Sequence, residues 1–400
     1  MSLKTESRTL HVGIDATSWR NDRGYGRFTR ELVTALAARD SGFRYTLFFD
    51  QMVAESVPAG VEVVSAQSGR NLTESAVGSS SRSLGYLLQM GRLTQRSRCD
   101  VLFFPTVYSF FPVLSRVPCV ICYHDATAER FPQFVFPTKL NQRLWRVKTA
   151  LAKLQTTRAM TISQSSAEDV EQILRIPRER IDVITEGADS VFRVIDDPAI
   201  PAAERRRHGI PESATLLVYV GGLNPHKNLL ALLRALPDVI AAQPGTHLAI
   251  VGDTSGKGFW DNVAALEEFV RRHPPLEQRV HFTGYLDDER LVALLNGAAA
   301  LVFPSLWEGF GLPAVEAMSC GTPVLASRCS SLPEVVGDAG MFFDPNSSSS
   351  IADCLLKFIG DRESWPRFRE RALARAPLFS WEKAARLAED SFRRCYETRR

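Results

Sequence analysis

The residues best suited to chemistry in this sequence are two glutamates that flank a glycine-containing turn. Glu308 precedes the turn, and Glu316 lies eight positions later within a predicted helix. The apolar run at residues 300–303 predicts a buried strand before the turn. Pro313 stands where a helix would begin, a position that tolerates its fixed φ and missing N–H. The pattern therefore predicts a strand-to-helix turn with one carboxylate on each side.

The backbone of this turn predicts an anion site. The N–H groups of Phe310, Gly311 and Leu312 would point out of the helix N-terminus without intrahelical partners, where the helix dipole favours negative charge. Gly309 and Gly311 let an anion approach the backbone closely. We expect a nucleoside diphosphate there, with Glu316 accepting from the ribose diol and Glu308 near the group beyond the diphosphate. The alternative is a helix end with two solvated glutamates.

Two further loops follow predicted strands. Lys227 lies in the segment GGLNPHKN, near the start of a helix, where a lysine can neutralise a diphosphate; a solvated lysine is the alternative. Gly24 and Gly26 follow the first strand and predict a phosphate-binding turn before a helix, or a purely structural turn.

His124 and Asp125 end another predicted strand, residues 119–123. Polar residues at the carboxyl ends of central strands lie where open α/β sheets bind ligands. The alternative is a histidine that is satisfied by a neighbouring group.

Short apolar runs alternate with helical patterns throughout the chain and predict an α/β fold with doubly wound parallel sheets. In the first half the predicted strands are residues 10–15, 45–49, 61–64, 101–104, 119–123, 159–162 and 181–184. In the second half they are residues 216–220, 247–251, 280–282, 301–303, 324–326 and 341–343. Two sets of strands predict two Rossmann-like domains, residues 1–195 and 196–379, and the serine-rich residues 65–83 predict a mobile loop.

Composition narrows the class of protein. Hydrophobic residues make up 45% and charged residues 23%, as in ordinary globular proteins, and the net charge of +3 gives no case for nucleic-acid binding. No apolar run reaches membrane-spanning length, and the first nine residues lack a signal-peptide core. The seven scattered cysteines predict buried thiols rather than a zinc site or disulfides. We expect a cytoplasmic protein.

The segment EGFGLPAVEAMSCGTPV resembles the signature of glycosyltransferase family 4, in which Glu308 and Glu316 would form the E-x7-E motif. The resemblance implies the GT-B fold, with two Rossmann-like domains facing a cleft and the final helix, residues 380–400, crossing back to the N-terminal domain. It implies a retaining transferase that moves a hexosyl group from a nucleoside-diphosphate sugar to a glycan or lipid-linked acceptor. The alternatives are a sugar-nucleotide epimerase of the same fold, a phosphorylase or a non-catalytic sugar-nucleotide binder.

The resemblance also implies roles for individual residues. The implied catalytic residues are His124, Asp125, Lys227 and Glu308. The implied donor-binding residues are Gly24, Gly26, Gly222, Lys227, Gly252, Gly284, Tyr285, Glu308, Gly309, Phe310, Gly311, Leu312 and Glu316. Gly222 departs from the family pattern, which normally places an arginine there, so Lys227 is the matched cation. No motif predicts a metal or a cofactor besides the donor itself.

The forms of HDATAERFP and GGLNPHKN resemble bacterial mannosyltransferases of polysaccharide assembly. This resemblance favours GDP-mannose as the donor, with a UDP-hexose as the alternative.

Residues 139–158 place leucines and a valine at helical spacing among basic residues, with no acidic residue. Periodicity predicts a helix whose apolar side chains pack in the core and whose basic face is solvated. The alternative is that the basic face meets anionic lipid headgroups or an acceptor's diphosphate, with peripheral membrane contact through residues 131–158.

Overall fold

The computed structural model describes residues 8–21, 24–51, 57–66, 84–254 and 262–398, without the side chains of residues 84–88. The chain divides into two compact units. The first comprises Met1–Pro132, Phe136–Glu186 and Trp381–Arg400, and the second comprises Gln133–Val135 and Gly187–Ser380.

The first unit is built on a seven-stranded sheet. Its strands are β1 (Leu10–Asp15), β2 (Phe43–Phe49), β3 (Glu62–Ser65), β4 (Val101–Phe104), β5 (Cys119–Cys122), β6 (Thr156–Thr161) and β7 (Ile181–Val183). They are all parallel, in the order β3-β2-β1-β4-β5-β6-β7. The helices in this part of the chain are α1 (Gly24–Ala37), α2 (Leu84–Arg96), α3 (Thr127–Arg130), α4 (Pro132–Val135), α5 (Lys139–Gln155) and α6 (Gln164–Gln172).

The second unit is built on a six-stranded parallel sheet. Its strands are β8 (Thr215–Val220), β9 (Thr246–Val251), β10 (Val280–Gly284), β11 (Ala300–Phe303), β12 (Val324–Ser327) and β13 (Gly340–Phe343), in the order β10-β9-β8-β11-β12-β13. Its helices are α7 (Ala199–Arg207), α8 (Leu229–Ala242), α9 (Val263–Arg272), α10 (Pro274–Glu277), α11 (Asp288–Asn296), α12 (Leu312–Ser319), α13 (Leu332–Val336), α14 (Ser348–Gly360) and α15 (Trp365–Arg375). The last helix of the chain, α16 (Trp381–Glu397), belongs to the first unit.

The prediction of two doubly wound parallel sheets is confirmed. Every apolar run that was predicted to form a strand does so, with ends that shift by up to three residues. Strands such as β1, β4, β9 and β11 are buried along their whole length, because helices cover both faces of each sheet.

The boundaries differ from the predicted ones. The two units separate between Glu186 and Gly187, whereas the predicted domain boundary follows residue 195. Helix α7 begins at Ala199, within the predicted second domain. The predicted mobile loop at residues 65–83 lies outside the described residues from residue 67 onward.

Helix α16 packs on the sheet of the first unit. The ring of Phe392 is fully buried, and its centroid lies 5.2 Å from that of Phe103. The buried Glu389 carboxylate accepts hydrogen bonds from Arg39 and Tyr45, both at 3.1 Å. Apolar packing and a satisfied buried charge therefore fix this helix on the first unit.

One packing prediction is wrong. The apolar side chains of α5 were predicted to lie in the core, but Leu140, Leu144, Val147, Leu151 and Leu154 are all exposed. The buried residues of α5 are instead Thr149 and Ala152, and Trp145 packs beside them against Tyr108 with ring centroids 4.7 Å apart. Small and aromatic residues thus make the contact that the leucines were expected to make. None of the described helices is both long and apolar enough to cross a membrane.

We predict that Phe392→Ala destabilises the protein by about 3–5 kcal/mol, because it removes a fully buried ring and leaves a cavity. Thermal and denaturant unfolding would measure the loss. Arg386→Ala, at an exposed position of the same helix, is the matched control and should change stability little. Equal stability of the two variants would show that α16 does not depend on this contact.

Candidate functional site

The predicted site residues of the second unit lie where its strand order reverses. Strands β8 and β11 are neighbours, with β9 and β10 on one side and β12 and β13 on the other. In parallel doubly wound sheets, ligands bind outside the carboxyl edge at such a reversal. The loop after β8 contains Lys227 and the loop after β11 contains Glu308. The sheet thus brings together two residues that are far apart in sequence.

Direct hydrogen bonds hold these two loops against each other. A short 3-10 helix, Pro225–Lys227, ends at Asn228, which has the left-handed φ of 60° that asparagine tolerates. The Asn228 side-chain amide donates to the carbonyl of Pro304 at 3.1 Å. The backbone N–H of Leu306 donates to the carbonyl of His226 at 2.9 Å. The lysine loop is therefore fixed in position on the glutamate loop.

Lys227 and Glu308 form an ion pair. The Nζ atom of Lys227 donates to both carboxylate oxygens of Glu308, at 2.7 and 2.9 Å. The side chains are 19% and 10% exposed, so each charge depends on the other for much of its stabilisation. The pair offers a cation for an anionic ligand and a carboxylate for hydroxyl groups.

Serines from the loop after β12 support the turn. The N–H of Glu308 donates to Oγ of Ser330 at 3.0 Å, and Oγ of Ser331 donates to the carbonyl of Phe310 at 2.7 Å. The segment SRCSSLPE, residues 327–334, was expected to support the donor site, but these two contacts were not predicted. The available signal was the position of both serines in the loop after β12, the strand next to β11.

The helix after the turn begins as predicted, with Pro313 in its first turn. Gly311 precedes it with φ of 102°, and a Cβ at this position would lie 2.9 Å from Cδ2 of Leu332. Glycine is therefore required there for both backbone and space. Within the described residues, the N–H groups of Phe310, Gly311 and Leu312 donate to no other residue. These are the donors that were predicted to receive an anion, and anion binding stays a prediction.

Glu316 lies within α12, and its side chain is 3% exposed. The helix therefore presents this carboxylate to an enclosed environment rather than to bulk solvent. Its predicted contact with a ribose diol stays a prediction.

The glycines that end β9 and β10 lie together. The N–H of Gly252 donates to the carbonyl of Gly284 at 3.1 Å. A Cβ on Gly252 would lie 2.3 Å from the carbonyl oxygen of Gly221, so only glycine fits. Tyr285, the next residue after β10, is exposed. These residues line the same carboxyl edge of the sheet as Lys227.

Gly222 stands at the position where the family pattern normally has an arginine, and it contributes only backbone groups. Its carbonyl accepts a hydrogen bond from the hydroxyl of Tyr219 at 2.6 Å. A Cβ would lie 2.7 Å from Oδ1 of Asn224, which is the end of a movable side chain. The cation of this loop is therefore the ammonium group of Lys227.

In the first unit, the His124 side chain is buried. Its Nε2 atom lies 2.8 Å from the carbonyl oxygen of Pro105 and donates to it. The rings of Tyr25 and Phe28 pack edge-on against the imidazole, with centroids 5.2 and 4.6 Å away. Burial lowers the pKa of His124 to about 4, so the ring is neutral at neutral pH. His124 thus lies at a strand end as predicted, but its Nε2–H already donates to the carbonyl of Pro105.

The remaining predicted residues of the first unit shape local turns. One carboxylate oxygen of Asp125 accepts from the N–H of Thr127 at 2.9 Å, at the start of α3. Gly24 and Gly26 were predicted to precede a helix, but α1 begins at Gly24 and includes both. A Cβ on Gly26 would lie 1.8 Å from the carbonyl oxygen of Asn21, so this glycine permits a close backbone approach.

Two family models match the chain. The model of Glycosyltransferase Family 4 matches residues 23–191, and the model of Glycosyl transferases group 1 matches residues 202–375. The chain belongs to the family 4 glycosyltransferases. It is an enzyme of sugar transfer with the GT-B fold, and the comparisons do not favour an epimerase or a non-catalytic binder.

Relatives of this glycosyltransferase extend over most of its length. It is 29% identical over 375 residues to the O-antigen chain mannosyltransferase B of Escherichia coli, a match that covers 90% of this chain and 93% of that relative. It is 31% identical over 238 residues to the serotype-specific mannosyltransferase WbdA of Escherichia coli, which covers 59% of this chain but only 29% of that relative. The fold resembles that of sucrose-phosphate synthase from Thermosynechococcus elongatus, with a TM-score of 0.76, 19% identity and coverage of 97% and 100% of the two chains.

We predict that the free energy of unfolding falls as the pH is lowered from about 6.5 towards 4. Burial lowers the pKa of both His124 and His226 to about 4 in the folded state, so the unfolded chain binds more protons in this range. His124→Gln should make the dependence on pH shallower. Denaturant unfolding at several pH values would measure this, with His273→Gln as the matched control. An unchanged slope in His124→Gln would contradict the buried neutral ring.

Proposed function

We propose that this glycosyltransferase moves a hexosyl group from a nucleoside-diphosphate sugar to a glycan or lipid-linked acceptor, with retention of the anomeric configuration. The observation that carries the proposal is the Lys227–Glu308 pair, which stands beside the helix end at Gly311. One site thus offers a cation, backbone donors and a carboxylate. These are the groups that a diphosphate and a sugar require.

In the proposed reaction, the positive groups of the site interact with the diphosphate that leaves. Negative charge develops on it as the bond to the sugar breaks. In the proposed mechanism Lys227 and the N–H groups of Phe310, Gly311 and Leu312 stabilise that charge. These groups are held in place before the donor binds, so little reorganisation is needed during the reaction. Gly222 supplies no second cation, and no metal or additional cofactor is part of the proposal.

Donor binding would redistribute the ion pair. Glu308 neutralises Lys227 through two hydrogen bonds. A diphosphate that binds Lys227 would release the Glu308 carboxylate, which could then accept hydrogen bonds from the sugar hydroxyls. Glu316 would accept from the ribose diol, and Gly252, Gly284 and Tyr285 would lie near the base.

The first unit would contribute the remaining contacts. Because Nε2 of His124 donates to Pro105, Nδ1 carries the lone pair and would accept from a hydroxyl of the transferred sugar. Asp125, the next residue, is proposed as a catalytic residue together with His124. Gly24 and Gly26 would let the donor phosphates or the acceptor approach the start of α1.

For the donor we propose GDP-mannose, since both Escherichia coli relatives are named as mannosyltransferases. A UDP-hexose is the alternative. We further propose a cytoplasmic enzyme that contacts the inner face of the membrane through residues 131–158.

We predict different kinetic effects for the two glutamates. Glu316→Ala should weaken donor binding, because a ribose contact is present in both the ground state and the transition state. Glu308→Ala should mainly lower turnover, because its contact to the reacting sugar matters most in the transition state. Donor titration and transfer of isotope-labelled sugar would separate the two effects. Wild-type kinetics in both variants would remove the assignment of this site.

Lys227→Ala should reduce transfer on the order of a hundredfold or more, because one charge at a developing oxyanion is commonly worth that much. The variant also leaves Glu308 without its partner, so Lys227→Arg, which keeps a positive charge there, should be measured beside it and should retain more of the transfer. Lys357→Ala, on the exposed face of α14, is the matched control. A loss of only a few-fold would place the diphosphate elsewhere. Addition of EDTA should leave the wild-type enzyme active.

A further inference from the structure

Helix α5 carries an unusual exposed surface. Leu140, Leu144, Val147, Leu151 and Leu154 are between 42% and 83% exposed. They make up five of the eleven large hydrophobic side chains that are exposed within the described residues. Scattered exposed leucines need no explanation, but a concentration on one helix does. We call these five residues the α5 stripe.

The stripe is continuous along the helix. At about 100° per residue the five side chains fall within an arc of about 80°, and they extend over about 21 Å. Other side chains fix the helix to its unit. The indole N–H of Trp145 donates to Glu129 at 2.7 Å, and the side-chain amide of Gln155 donates to the carbonyl of Val113 at 2.8 Å. The stripe therefore faces outward from a helix that is anchored on its other side.

Positive charge lies along one edge of the stripe. On the same helical wheel Lys139, Arg143, Arg146 and Lys153 fall about 60° to 140° from its centre. The helix contains no acidic residue. Within the described residues none of these four side chains forms an ion pair. The exposed surface of α5 is thus an apolar strip beside an unneutralised basic strip.

A neighbouring segment extends this surface at one end of the helix. Hydrogen bonds in both directions between Val113 and Gln155 hold residues 113–116 beside the last turn of α5. This segment adds the exposed Leu114 and the exposed Arg116. It repeats the combination of an apolar and a basic side chain.

We propose that the α5 stripe inserts into the surface of an anionic lipid bilayer, with the basic edge on the lipid headgroups. An amphipathic helix with an apolar face and lysines and arginines beside it binds at this interface in this orientation. A second copy of the chain packed stripe to stripe would add further positive charge at the contact, with no acidic residue from either helix to balance it, which is unfavourable. This membrane contact refines the one proposed above for residues 131–158, and its biological role rests on that proposed function.

Vesicle co-sedimentation of the full chain tests the proposal. The wild-type protein should bind vesicles of phosphatidylcholine mixed with phosphatidylglycerol, and should bind pure phosphatidylcholine much less. Leu144→Gln, Val147→Gln and Leu154→Gln combined should lower binding by about tenfold or more. Arg143→Gln, Arg146→Gln and Lys153→Gln combined should weaken binding at low salt and remove its dependence on salt.

The matched control combines Ile200→Gln, Leu373→Gln and Leu378→Gln, which are exposed apolar positions of the second unit. It should bind vesicles like the wild type, and all variants should unfold at similar temperatures. The proposal is overturned if the wild type does not bind anionic vesicles or if the α5 triple-glutamine variant binds equally well. It is also overturned if the wild type is a dimer that this variant converts to a monomer. Glu308→Gln should bind vesicles like the wild type. Vesicle binding therefore tests the membrane proposal independently of the proposed role of Glu308 in sugar transfer.

Discussion

The structure of the proposed donor site depends on the contact between Lys227 and Glu308 across the reversal of strand order in the second sheet. Two partly buried opposite charges stabilise each other only when their geometry is good. The sheet provides this geometry, because β8 and β11 are neighbours and their carboxyl ends share an edge. The Asn228–Pro304 hydrogen bond and the Leu306–His226 hydrogen bond then fix the loops. The fold thus fixes the relative positions of the two loops and of their charged side chains.

The same contact relates the architecture of the site to the proposed chemistry. In the proposed mechanism a diphosphate takes the place of the Glu308 carboxylate at Lys227. The carboxylate is then available for the sugar hydroxyls. The loops around this contact pack closely and require glycine at Gly311 and Gly252, where a Cβ would meet neighbouring atoms at 2.9 and 2.3 Å. Close packing and the charged pair thus occur in the same group of loops.

Sequence alone predicted the strands and the two sheets, because buried strands such as β4 and β9 are continuous apolar runs. It also identified Lys227 and Glu308, through the resemblance to a known family. It did not predict the contacts of Ser330 and Ser331, since the sequence places both serines after β12 but does not show which backbone groups their hydroxyls contact. It misjudged α5, because helical periodicity shows that apolar residues share a face but not which way that face points. Trp145 lies on the opposite side of the helix, where it packs against Tyr108 and donates to Glu129, so the leucines face outward.

The most direct test of the account is calorimetric titration of the purified protein with a panel of sugar nucleotides in the presence of EDTA. The panel includes GDP-mannose and several UDP-hexoses, with nucleoside monophosphates and free hexoses as controls. We predict that at least one nucleoside-diphosphate sugar binds clearly more tightly than the matching monophosphate, because in the proposed mechanism Lys227 and the helix end at Gly311 hold the diphosphate. Equal affinity for the monophosphate, or no binding by any member of the panel, would contradict the account.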